Sequence, residues 1–145
     1  MLIILQFKDL FLWGNKCLND VREKVGWNQK YIPNLSVSQS WLNFSKTGEG
    51  HHKHNHMLSI LSGILYLTQP SYTQFFTRSI YALPSIISRN EDRLKTVKHH
   101  YSGAVGELII FPSNLEHWAG PNMEKEPRIT LSFNSWLEGE IGCAN

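Results

Sequence analysis

Arg128-Ile129-Thr130-Leu131-Ser132-Phe133-Asn134 alternates polar and apolar side chains one for one. In an extended chain successive side chains leave opposite faces, so Arg128, Thr130, Ser132 and Asn134 share one face and Ile129, Leu131 and Phe133 the other. Patterning with a period of two predicts a β-strand, taken here as Arg128 to Trp136. Four polar residues on one face of an otherwise apolar strand suggest the wall of a polar cavity.

The same texture extends upstream. Short apolar or alternating runs, each bounded by turn residues, predict strands at Ser36 to Phe44, Met57 to Thr68, around Phe75 and Phe76, at Ile80 to Leu83 and at Glu107 to Phe111. Ser88 to His100 is rich in charge and poor in apolar residues, which predicts an exposed loop or lid. One helix is expected near residues 15 to 25. Asn15 is placed to cap it, Leu18, Val21 and Val25 recur at near-helical spacing, and Gly26 ends it. The apolar stretch from Leu2 to Trp13 is interrupted by Lys8 and Asp9 before it reaches a membrane-spanning length, and it lacks the basic start and small-residue cleavage site of a secretory signal. A buried first element is expected there. The fold class implied is mainly β: an antiparallel jelly-roll or barrel, with one or two short N-terminal helices supporting one sheet from outside.

Composition narrows the function classes. A chain of 145 residues has the length of one domain, so a single domain over residues 1–145 is expected. With 41% hydrophobic and 18% charged residues it is too apolar for a disordered chain. A net charge of +2 from scattered basic residues argues against a nucleic-acid surface built on charge, and no membrane partner is expected. Two cysteines, Cys17 and Cys143, exclude a disulfide framework and fit a reducing, cytoplasmic compartment.

The histidines carry the chemistry. His51, His52, His54 and His56 cluster before an apolar run, and His117 follows Glu107 to Phe111 and a turn. Residues two apart on a strand share a face, so His54 and His56 can present two imidazoles to one ion, with His117 brought opposite by a neighbouring strand. Three protein ligands on one side of a metal leave its other positions open, as a catalytic site requires. His52 with His54 is an alternative register, and a solvated polar loop is the plain alternative to any metal site.

The residues resemble two families. Gly48, His54, His56, then Gly106, Glu107, Pro112 and His117 come close to the two cupin motifs, although Ile60 and Leu61 stand where a Glu belongs and Asn114 where a Gly is usual. The fuller resemblance is to the small iron(II)- and 2-oxoglutarate-dependent oxygenases common in phage and marine bacteria. It is carried by Ser40 to Phe44 with Gly48, by His54-Asn55-His56 with Leu61 to Leu67, by Gly106 to Ser113 with His117, and by Arg128 to Asn134. That resemblance implies a double-stranded β-helix with His54, His56 and His117 as iron(II) ligands and catalytic centre. It also implies 2-oxoglutarate and dioxygen as cosubstrates, succinate and carbon dioxide as coproducts, and hydroxylation of an unidentified small-molecule or protein substrate. Arg128 falls where the family binds the far carboxylate of 2-oxoglutarate, Tyr66 matches a position whose phenol reaches the same group, and Thr130, Ser132 and Asn134 add contacts. Most of these enzymes have Asp or Glu where His56 stands, and a histidine in that place removes one negative charge from the ligand set. A homodimer is compatible with the reading. A cupin-type dioxygenase or isomerase, or a non-catalytic metal-binding β-domain, would not need Arg128.

Overall fold

The computed structural model describes residues 7–28, 34–77 and 97–138. In chain order it comprises α1 (Lys8–Val25), β1 (Leu35–Ser45), β2 (His51–His54), β3 (Leu61–Tyr66), β4 (Ser71–Thr77), β5 (Val97–Gly103), β6 (Leu108–Pro112), β7 (Glu116–Ala119) and β8 (Arg128–Leu137). The strands form two four-stranded antiparallel sheets, ordered β1-β8-β3-β6 and β2-β7-β4-β5. This mainly β jelly-roll order is the double-stranded β-helix expected from the sequence.

Alternation on the first sheet builds two separate cores. On one face Leu35, Leu61 and Phe133 pack with Leu18 of α1, joined by Val37, Leu108 and Ile110. On the other, Tyr66, Ile109 and Phe111 meet Phe75 and Tyr101 of the second sheet, with the Phe75 and Phe111 rings 4.9 Å apart. Leu18 and Leu35 are fully buried, a burial that stabilises by about 2 kcal/mol each. The alternating β6 sequence Leu108-Ile109-Ile110-Phe111 divides between the two cores for the same reason. Gly63 leaves room for the Phe133 ring, whose Cζ would lie 2.2 Å from an added Cβ.

Helix α1 begins earlier than the predicted residue 15 and is a single helix of 18 residues. Asn15 is therefore not its cap. It lies in the helix interior, where its Oδ1 accepts the Val37 N–H at 2.9 Å; one turn on, Asn19 accepts the Leu35 N–H at 3.0 Å and donates to the Leu35 carbonyl at 2.9 Å. Two amide side chains thus take the place of a neighbouring strand along the start of edge strand β1. Gly26 ends the helix as predicted, with φ 76° and its N–H on the Glu23 carbonyl. The expected buried first element is not what residues 7–13 form, since Phe7, Leu12 and Trp13 of the helix start are exposed. No described helix is long and apolar enough to cross a membrane.

Three strand expectations need correction. Met57 to Ile60 is a turn, and only Leu61–Tyr66 is extended. The loop predicted through His100 is strand β5 from Val97 onward, where pairing with β4 satisfies a polar sequence that has no apolar period of its own. Strands β2 and β7, four residues each, are too short to show a pattern. Ile80 to Leu83 and most of the charged segment lie outside the described residues. Because the Gly63 site is filled by a ring wedged between sheet and helix, Gly63→Ala is expected to destabilise by about 1–3 kcal/mol in urea unfolding, and Phe133→Leu in the same chain to recover part of the loss.

Candidate metal centre

Two β-bulges decide which side chains face the space between the sheets. Opposite β8, the register of β1 shifts between Val37 and Gln39, so Ser38 is the extra residue and the parity of the strand reverses there. Leu35 and Val37 face the helix, while Trp41, Asn43 and Ser45 line the cavity opposite Ser132, Thr130 and Arg128. A second shift lies in β2, where His51 pairs with Ala119 but His54 with His117, three residues spanning what two do on β7. His51 and His54 therefore both line the cavity, and His52 between them is exposed. The alternative register of His52 with His54 is not the one formed.

His54, His56 and His117 converge. Their ligating nitrogens all lie within 4.8 Å of one another, with ring centroids 4.4 Å apart for His54 and His117, 5.1 Å for His54 and His56 and 5.3 Å for His56 and His117. Two nitrogens at right angles on one ion stand about 3 Å apart, so small ring rotations bring the three onto a common point. His54 and His117 end on paired strands as expected, but His56 does not share a strand with His54. It follows β2 in a turn, and its own N–H donates to the Ser113 carbonyl at 2.8 Å. His54 Nδ1 donates to the His52 carbonyl at 2.6 Å and His117 Nδ1 to the Leu115 carbonyl at 3.0 Å. These contacts fix the tautomer and leave each Nε2 lone pair free, as a metal-ligating histidine needs. Burial is the main reason the His117 imidazole titrates low, at about 4, and burial also lowers His56 and His51.

The same cavity, open to solvent, holds Arg128. Arg128 as a residue is 6% exposed, and its guanidinium donates from Nη1 to Ser71 Oγ at 3.1 Å, with no carboxylate in ion-pair range among the described residues. Its burial pulls its pKa below the ordinary value, with Tyr72 and Tyr66 acting in the opposite sense. Tyr66 is fully buried; its ring lies over Gly103, and its hydroxyl is 2.7 Å from Thr73 Oγ1. Thr130 and Ser132 also line the cavity, each accepting a hydrogen bond from Asn43 Nδ2, at 3.2 and 2.8 Å.

Asn134 is the one predicted site residue outside the lining. Its Oδ1 accepts from Ser62 Oγ at 2.8 Å and its Nδ2 donates to Gln39 at 3.3 Å. Ser62 Oγ is also 2.8 Å from Ser113 Oγ, which donates to Ser59. Ser113 holds the His56 backbone, so this hydroxyl chain supports the turn that carries His56. Asn43, Ser71 and Thr73 had no signal of their own in the sequence, and His51 was legible only as a member of the histidine cluster; their place is set by the bulges and by pairings between strands far apart in the chain.

Comparison with known proteins bears on the family and the fold. A family model described as "Putative 2OG-Fe(II) oxygenase" matches residues 39–134. No curated protein matches the chain. Among solved structures, a prolyl-4-hydroxylase of Pseudomonas putida is 15% identical with a TM-score of 0.52, covering 86% of this chain and 63% of its own. An oxidoreductase of the 2OG-Fe(II) oxygenase family from Burkholderia pseudomallei is 11% identical at 0.59, covering 87% and 53%. A non-heme alpha-ketoglutarate dependent epimerase of nogalamycin biosynthesis is 14% identical at 0.53, covering 70% and 47%. At these identities the likeness is one of fold, and the chain spans about half to two thirds of those proteins' length.

Two expectations follow. Ser62→Ala breaks the chain that steadies the His56 turn and is expected to weaken iron(II) affinity about tenfold by calorimetry. An unfolded chain takes up a proton on each histidine near pH 6.5, whereas folded His117 does so near 4. In the metal-free protein the contribution of His117 to stability is therefore fully present above pH 6.5, and roughly 2 kcal/mol of it is lost as the pH falls to 4; in urea titrations His117→Gln flattens that dependence.

Proposed function

Since the chain belongs to this family of 2OG-Fe(II) oxygenases, we propose that it is an iron(II)- and 2-oxoglutarate-dependent dioxygenase that hydroxylates its substrate. The observation that carries the reading is the meeting, in one cavity, of three convergent imidazoles and a buried arginine that has no acidic partner among the described residues. The donor set fits the metal: three neutral nitrogens, two with their tautomers fixed by backbone carbonyls, leave coordination positions open. The second fit is that of Arg128. A buried arginine held, among the described residues, by a serine hydroxyl alone is costly unless an anion normally sits against it, and a carboxylate matches its planar fork.

In this assignment His54, His56 and His117 hold iron(II), and Arg128, with Ser71 beside it and Tyr66 in the same wall, takes the far carboxylate of 2-oxoglutarate. Iron(II) with 2-oxoglutarate supplies dioxygen activation coupled to decarboxylation, which yields succinate and carbon dioxide and inserts oxygen into a C–H bond. The chain's own part is geometric. Arg128 and the histidines set the distance between the cosubstrate's two ends, Asn43 orients the hydroxyls of Thr130 and Ser132 along the wall, and Phe111 packs against His117 with ring centroids 4.8 Å apart, excluding water from that side. A cupin-type site gives Arg128 nothing to bind.

The deciding experiment is anaerobic titration of the iron(II)-loaded protein with 2-oxoglutarate. A weak visible charge-transfer band that saturates at one equivalent is expected, and its absence would reject the reading. Arg128→Ala is expected to leave iron(II) affinity within about threefold while weakening 2-oxoglutarate binding by about 30- to 150-fold, the loss of 2–3 kcal/mol for a charge-assisted contact.

A further inference from the structure

We propose that the cavity binds, beside the metal, a second negatively charged group besides 2-oxoglutarate, and that the substrate itself carries it as a carboxylate, phosphate or sulfate. The inference rests on the ligand assignment just given and deepens it.

The argument is a count of charges. His54, His56 and His117 contribute none when they ligate through neutral nitrogens, so a bound divalent ion keeps its full +2. Arg128 adds one more positive charge in the same cavity. A doubly charged 2-oxoglutarate leaves +1 unbalanced. With Asp or Glu in place of His56 that remainder would be zero. Among the described residues no Asp or Glu lines the cavity. The nearest acidic residue along β7, Glu116, is paired with Lys53 at 3.2 Å, and Glu107 is held by Tyr101 and by the Ala104 N–H. Neither is free to neutralise the site. Residual charge in a half-enclosed, partly apolar cavity is screened far less than at a surface, so an anion is drawn there by Coulomb attraction.

Geometry says where the group sits. Arg128 pairs with Ser45 and Ser132 with Trp41, four residues or about 13 Å apart along β8. Arg128 is thus engaged at one end, while the metal ligands gather near Trp41, whose ring is 5.6 Å from that of His56. The unbalanced charge lies at the metal end. A substrate whose acidic group lies against the metal end would be oriented by it, with Trp41 as the apolar wall for the carbon that follows.

Cobalt(II)-loaded protein saturated with 2-oxoglutarate provides the test, read by the visible cobalt spectrum. Formate and formamide are the probes, alike in shape and different in charge. Formate is expected to bind at least tenfold more tightly than formamide, and His56→Asp, which supplies the missing charge, to reduce formate affinity at least tenfold while keeping one cobalt per chain. If His56→Asp loses the metal, the formate and formamide comparison on the wild-type protein decides alone. Equal binding of the two probes overturns the proposal. Saturation by chloride at about 0.1 M would make a free inorganic anion the occupant and overturn the assignment to substrate. Failure to take up cobalt or 2-oxoglutarate would instead reject the ligand assignment on which the proposal stands.

Discussion

A β-strand shows alternate side chains to alternate faces, so the make-up of this cavity is tied to the parity of each strand that lines it. The central strand β8 obeys the rule without interruption, presenting Arg128, Thr130 and Ser132 inward and Leu131 and Phe133 toward the helix side. Its neighbour β1 must serve a helix at one end and the cavity at the other, and regular alternation cannot give apolar residues to the first and Trp41 and Asn43 to the second from odd positions alone. The extra residue at Ser38 resolves the conflict, and the irregularity in β2 does the same for His51 and His54.

This explains what could be read in advance. The ordered motifs around His54, His56, His117 and Arg128 were legible because each residue type brings its own chemistry and each motif is short in itself. Strands β1, β3, β6 and β8 were legible through their apolar or alternating runs. Strands β2 and β7 were not, since four polar-rich residues carry no period, nor was β5, whose extended form depends on β4. Asn15 misled for a physical reason: an Asn before an amphipathic run is what a helix cap looks like, whereas here its amide serves the sheet. Asn134 misled similarly, lying on the right face of β8 but one pair beyond the cavity, where it bonds Ser62.

The three imidazoles are mounted unequally. His54 and His117 face each other across an antiparallel pair, and their rings are oriented by carbonyls within two residues of their own. His56 depends on the Ser113 carbonyl, far along the chain, and on the Ser59, Ser62 and Asn134 side chains linked behind it. The strand pair provides a rigid two-point mount, and the third ligand is positioned only once β3, β6 and β8 are all in place. Assembly of the metal centre and completion of the first sheet are in this sense the same event.

The amides of Asn15 and Asn19 have a consequence for solubility. An edge strand is a template on which another chain can polymerise, and β1 is an edge with Leu42 and Phe44 exposed on it. Its first residues are closed to such growth by side chains of the helix that also buries Leu18 against them. Aggregation through this end of the sheet therefore has to wait for the helix to detach, which costs the burial of an entire core face. The barrier to misassembly is thereby set by the same contacts that stabilise the folded chain.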